Sequence, residues 1–184
     1  MQFHHVSATF TRPSQATQYT AGDAIANSQT GSAVVPLTFT IPYAANRRTG
    51  RLSGARAVVT PASSDLVITA LDFDLLIFRP VTSLPFAAGS FPADNAAMAI
   101  SAAAYRELVG VFRFINTAWR NTLGALTAGV TGHQNAAPVT RANYPFSLDS
   151  LSGNALIGVV QAIGVWNPGA VAQVFDFTLD LEQE

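Results

Sequence analysis

Val174-Phe175-Asp176-Phe177-Thr178-Leu179-Asp180-Leu181 puts apolar residues at every second position, with Asp176, Thr178 and Asp180 between them. Successive side chains of a β-strand point to opposite faces, so this run reads as a half-buried strand. Working back along the chain, Leu71-Asp72-Phe73-Asp74-Leu75 repeats the alternation and Val111-Phe112-Arg113-Phe114 gives a shorter version. Further β-rich runs fall at residues 6–10, 34–41, 51–60, 66–78, 143–148 and 155–166. With the runs at 109–115 and 171–181 they make about eight strands, the number of a two-sheet jelly roll. Gly, Pro or Asn marks the reversals at Ala21-Gly22-Asp23, Asn46-Arg47-Arg48-Thr49-Gly50 and Asn167-Pro168-Gly169. Short polar turns at this spacing indicate antiparallel strands in an all-β sandwich rather than βαβ units.

Two stretches depart from the pattern. Residues 79–100 are rich in Pro, Ala, Ser and Gly and lead into Ser101-Ala102-Ala103-Ala104-Tyr105-Arg106-Glu107-Leu108, where helix propensity is high. A short helix crossing one end of the sandwich is expected there. Residues 127–139 are small, Gly-bearing and without periodicity, hence a long exposed loop. Residues 1–20 read as an extended N-terminal arm or a first strand. No repeat or linker divides the chain, so residues 1–184 are read as one domain.

Composition narrows the function. The chain has 184 residues, 49% hydrophobic and only 11% charged, with net charge -1. Soluble domains average about 25% charged residues. A monomer of this mass exposes roughly 8,500 Å², or about one charge per 400 Å² here. A surface so poor in charge suits an oligomer or a protein docked on something larger. All ten basic residues are Arg, which GC-rich codon usage explains without invoking function. Near-neutral charge argues against a nucleic-acid partner, because phosphate affinity needs clustered positive charge. The start MQFHHVSATF carries no secretory signal pattern, and residues 155–166, interrupted by Gln161, are too short to span a bilayer. No membrane partner is expected. With no Cys, disulfides, thiolate metal sites and cysteine nucleophiles are excluded.

The catalytic inventory is thin. His4 and His5 are adjacent and point to opposite faces of a strand, so they do not share a metal. His133 sits in the Gly-bearing loop with nothing beside it in sequence to mark a base. Asp72 with Asp74, and Asp176 with Asp180, share strand faces in a manner that could bind a divalent cation or form a glycosidase pair. The plainer reading is a polar face whose acids pair with Arg113 or Arg79 across the sheet, or contact a neighbouring subunit. Arg47, Arg48 and Arg51 form the one basic cluster, a phosphate contact in the sharper reading and an exposed hairpin tip in the plainer one. Arginine also suits protein interfaces. Twelve Phe against two Trp and four Tyr favour core filling over a sugar-binding platform. Trp119 and Trp166 are read mainly as core or rim residues. No catalytic residue, cofactor or metal is assigned.

Phe10-Thr11-Arg12-Pro13, then Tyr19-Thr20-Ala21-Gly22-Asp23-Ala24-Ile25-Ala26-Asn27-Ser28 and the strand at 34–41, resembles the opening of a family of small tailed-bacteriophage virion proteins. A Gly-bearing hairpin, Leu75-Leu76-Ile77-Phe78, a Pro-rich loop reaching Pro92-Ala93-Asp94-Asn95-Ala96-Ala97, a short helix and Leu108-Val109-Gly110 follow in similar order. The likeness covers most of the chain, and the Tyr-Thr-Ala-Gly-Asp and Ala-Asp-Asn-Ala segments carry nearly all its specificity. The resemblance implies a jelly-roll capsid cement or decoration protein on the outside of a phage head. It implies no catalysis, the major capsid protein as partner, and self-association as a dimer or trimer. The residues expected at interfaces are Arg12, Tyr19, Arg47, Arg48, Arg51, Trp119 and His133. The alternative is a tail or head-fibre module that recognises host glycans through the 127–139 loop. A Ca²⁺-dependent carbohydrate-active enzyme using the paired Asp residues is the weakest reading.

Overall fold

The computed structural model describes residues 2–42, 49–61, 72–79, 91–115, 119–121, 134–136, 143–148, 154–168 and 170–183. Eleven strands are found among them: β1 Gln2–Arg12, β2 Ala24–Ile25, β3 Leu37–Thr40, β4 Thr49–Pro61, β5 Phe73–Phe78, β6 Leu108–Phe114, β7 Trp119–Asn121, β8 Gln134–Ala136, β9 Tyr144–Ser147, β10 Ala155–Ala162 and β11 Gln173–Gln183. One α-helix, α1, spans Ala102–Arg106 and one 3-10 turn spans Gly31–Ala33 among the described residues. Residues 2–12 are thus a full first strand, antiparallel to β11 from Gln2–Gln183 to Arg12–Gln173.

The strands form two antiparallel sheets. One runs β1-β11-β4-β8-β7 with β9 also on β4; the other runs β2-β10-β5-β6 with β3 also on β10. Without the short β2, β7 and β8, the sheets read β1-β11-β4-β9 and β3-β10-β5-β6. First and last strands are neighbours, and the chain passes repeatedly between sheets. This is the eight-stranded jelly roll. The eight principal strands fall on the eight runs read from the sequence.

Alternation explains the packing. Phe175, Phe177, Leu179 and Leu181 of β11 are fully buried, while Asp176 is exposed. They meet Phe73, Leu75 and Ile77 of β5, Phe112 and Phe114 of β6, and Leu156 and Val160 of β10 in one core between the sheets. The small Ala55 and Ala57 of β4 lie beside Leu179 and Phe177 in register, leaving room for the large rings. A bulge resets the parity of β4, since Asp180 faces Gly54 whereas Leu181 faces Leu52. The extra residue, Ser53, lets both Leu52 and Ala55 point inward.

Three expectations are corrected. All six residues of β5 are buried, so its second face is not solvated. Leu76, Phe78 and Val159 on the far side of that sheet are covered by Met98 and Ala104, which places α1 against a sheet face rather than across one end of the sandwich. An Ala-rich helix approaches a sheet closely because its side chains are small. Ser101 caps it by accepting from the Ala104 N–H at 3.1 Å. The stretch 127–139 is also not wholly a loop, because β8 pairs with β4 at Val58 and Val59 and with β7. Backbone pairing along an available strand edge needs no side-chain alternation.

Gly110 marks a close approach between the sheets. A Cβ there would lie 2.3 Å from Cδ2 of Tyr144, whose ring packs edge-on to Phe112 and whose hydroxyl donates to the Val111 carbonyl at 3.1 Å. Gly110→Ala is therefore expected to cost about 1–3 kcal/mol by denaturant unfolding. An unchanged midpoint would mean that the Tyr144 ring shifts freely.

Candidate functional site

The densest polar arrangement is buried where β1 ends. Arg12 and Tyr19 have no exposed surface, and Asp94 is 5% exposed. Arg12 points inward because β1 alternates Val6, Ala8, Phe10 and Arg12 toward the interior. Burying a guanidinium is costly unless every donor is paired. Nε donates to Gln173 Oε1 at 2.5 Å, Nη2 to the Val171 carbonyl at 2.8 Å, and Nη1 to the Tyr19 hydroxyl at 3.2 Å. The cation also lies over the rings of Tyr19 and Trp166, 5.7 and 5.3 Å from their centroids.

Asp94 supplies the opposite charge, its Oδ2 lying 3.7 Å from Arg12 Nη1. Oδ2 accepts from the Tyr19 hydroxyl at 2.7 Å and from Gln15 Nε2, while Oδ1 accepts from the Ala26 N–H at 2.8 Å. Burial is the largest influence on the Asp94 carboxyl and pushes it above the usual range, against the Ala26, Tyr19, Arg12 and Gln15 groups that pull it down. Burial likewise raises Tyr19, helped by the Asp94 carboxylate. Tyr19 therefore stays a neutral donor.

The backbone around this cluster joins the two segments that carried the resemblance. The Ala24 N–H donates to the Ala96 carbonyl, the Asn95 N–H to Ala24 and the Met98 N–H to Gly22, each at 2.8 Å. Gly22 at φ 99 and Asn95 at φ 60 take the left-handed conformation these turns need. Asp23 fixes the first turn by accepting from the Thr20 N–H at 2.6 Å. Tyr19 and Trp166 then exchange backbone hydrogen bonds, binding the junction to the residues after β10. Four separate stretches of chain are held by one set of polar groups.

Arg12 and Tyr19, expected at an interface, are therefore internal: both side chains are enclosed and reach no partner's surface. The inward parity of β1 puts Arg12 there, and the bridge to Trp166 holds Tyr19 beside it. Arg51 lies on β4, 4.0 Å from Glu182. Trp119 is on β7, opposite Ala136. Arg47, Arg48 and His133 lie outside the described residues. Trp166 is 3% exposed and packs on Tyr19 at 5.0 Å, as a core residue. Asp74 accepts two hydrogen bonds from Arg113 across β5 and β6, at 2.9 and 2.8 Å. Those bonds to Asp74 hold the Arg113 guanidinium above its ordinary value. On the outer face of the first sheet, Asp180 accepts from Arg56 at 2.8 Å and lies 2.7 Å from His5 Nδ1. Among the described residues no group of three His, Asp or Glu side chains is placed to hold a metal. Nothing in the local sequence marks Asp94 or Gln173 as members of this cluster, because their partners Tyr19 and Arg12 lie 75 and 161 residues away.

Strand order and this internal junction together define a jelly-roll scaffold locked at one end. No protein-family model and no curated protein matches the chain. Among solved structures it is similar to the 60-mer capsid protein of BFDV, with a TM-score of 0.32 and 13% identity over 99% of this chain and 93% of that one. The full particle of Israeli acute paralysis virus gives a TM-score of 0.32 and 9% identity, covering 100% of this chain and 68% of that one. Turnip Yellow Mosaic Virus gives a TM-score of 0.25 and 11% identity, covering 99% and 94%. The jelly-roll assignment rests on the strand order.

Proposed function

We propose that this protein is a structural, non-catalytic virion subunit of the cement or decoration kind, binding the outside of a tailed-bacteriophage head and stabilising its capsid lattice. Its partners in this reading are the major capsid protein and further copies of itself, and it is made in the host cytoplasm. One observation carries the proposal: the two segments on which the resemblance depends meet in an enclosed junction. A catalytic acid or base must reach a substrate, whereas Asp94, Arg12 and Tyr19 satisfy one another inside the fold. What they supply is rigidity, which a clamp between capsid subunits needs.

The charge pattern supports the same reading. Arg12, Arg51, Arg56, Arg79 and Arg113 each lie within ion-pair distance of an acid of this chain. Five of the ten basic residues are thereby paired within the chain, which lowers the cost of desolvating an already charge-poor surface against neighbours. Repeated copies then add avidity from modest individual contacts.

Capsids lacking the protein should lose their DNA at a lower temperature than complete ones, and adding purified protein should restore the difference. Failure to bind such capsids, with no change in their heat lability, would overturn the proposal. Glycan-array binding in its place would favour the fibre-module alternative.

A further inference from the structure

We propose that β1 is a docking edge at which a second copy of this chain adds its own β1, antiparallel about a two-fold axis, to make one sheet across a dimer. The inference deepens the expected self-association by naming the surface, and it does not depend on the capsid. β1 is an end strand of its sheet, paired on one side only among the described residues. Natural proteins blunt long edges with proline, lysine, bulges or charge. β1 has none of these over residues 2–11: its eleven-residue ladder with β11 has no register shift, and its one formally charged residue, Arg12, points inside. On that side the backbone donors and acceptors of β1 have no strand partner among the described residues, and residues 35–38 flank its second half across a groove.

The choice of a second copy follows from what stands at the two ends of this edge. Near the N-terminal end, Phe3 is 68% exposed. Near the other end is a groove of about 560 Å³ lined by residues 8–11, Asn27 and residues 35–38, where Val35 is 66% exposed. Full overlap of two antiparallel β1 strands places Phe3 opposite Thr11, His5 opposite Thr9 and Ser7 opposite Ser7 of the second copy. Opposed side chains share a face. Each copy's residues 2–6 then run along the stretch that lines the other's groove, with Phe3 over Thr11 and Thr9, and His4 and Val6 over Phe10 and Ala8. The projecting end and the receiving end exchange places under the same rotation, as an isologous interface requires. No pair in this register sets like formal charges against each other.

The test is sedimentation equilibrium on the full chain, with wild type expected at twice the monomer mass. Ser7 is exposed, and its side chain bonds to Thr178 at 3.0 Å and to no other side chain among the described residues. Ser7→Lys sets two ammonium groups across the axis and should weaken the dimer roughly tenfold or more. Ser7→Glu should act alike, and mixing the two variants should restore a dimer. Amide exchange on wild type needs no variant: alternate amides of residues 3–11 should become more protected as protein concentration rises. A monomeric or trimeric wild type, a dimer indifferent to Ser7→Lys, or concentration-independent exchange along β1 overturns the proposal. Capsid binding by a monomeric wild type would sink the dimer while leaving the virion reading intact.

Discussion

Asp94→Ala is expected to cost about 3–5 kcal/mol of folding stability, measured by denaturant unfolding. The substitution deletes one small side chain but leaves the Arg12 guanidinium buried without its counter-charge. It also strips the acceptor from the Tyr19 hydroxyl, the Gln15 amide and the Ala26 N–H. Each buried donor left unsatisfied costs about 1–3 kcal/mol before relaxation. The dependence on pH has a definite sign. Burial raises the Asp94 carboxyl above its ordinary value of 3.8, so the folded state holds this proton more tightly than the unfolded chain. The stability linked to that proton is complete below the unfolded value and disappears as pH rises through the folded one. Wild type should therefore gain on Asp94→Asn as pH is lowered from neutrality toward 4. The opposite slope would show that the three donors and the Arg12 charge together outweigh burial. A loss below 1 kcal/mol for Asp94→Ala would mean that water takes the carboxylate's place and the junction is not a lock.

Phe177→Ala is expected to cost a similar 3–5 kcal/mol, through a cavity rather than a charge. The ring is fully buried and packs edge-on to Phe73 at 5.8 Å and to Phe114 at 6.3 Å, with Phe175 stacked alongside at 6.3 Å. Because it joins β11 to β5 and β6, its loss opens a void between the two sheets, where only partial collapse is available. For a domain of this size the melting temperature should fall by on the order of 10 °C. Tyr105→Ala on α1, where the side chain is 55% exposed, is the control and should change stability by no more than about 0.5 kcal/mol. Equal effects at the two positions would contradict the described core.

The phage-virion reading and the proposed dimer meet at β1, and through different residues. Arg12 at one end of the strand belongs to the internal junction, while Phe3 at the other end is free to meet a neighbour. The strand whose inward residues close the jelly roll thus offers its outer edge to assembly. A stiff junction under that edge helps, because a strand held in place loses little further freedom when a second one pairs with it.

Much of this architecture was legible along the chain. The alternation of Phe175, Phe177, Leu179 and Leu181 is a local pattern, and period two fixes which side chains share a face wherever the strand lies. Turn chemistry is local as well, so Gly22 could be read as a reversal. The bulge at Ser53 was hidden, because an extra residue shows only against the partner strand. The second buried face of β5 was hidden too, since its cover comes from Met98 and Ala104 far along the chain. So was the fate of the candidate site. Arg12 and Tyr19 looked like surface groups because charge and hydroxyl are ordinarily exposed, and nothing nearby in sequence shows their partners.

By itself, then, the sequence determined an all-β chain with about eight strands, their inward faces, and a surface poor in charge. Those properties arise from neighbouring residues and from composition. Tertiary structure alone decided that Tyr19 meets Asp94 across 75 residues and that Arg12 meets Gln173 across 161. It alone made β1 an edge. Burial, ion pairing and the pairing of strand edges depend on which distant segments come together, and no periodicity in a linear chain encodes that.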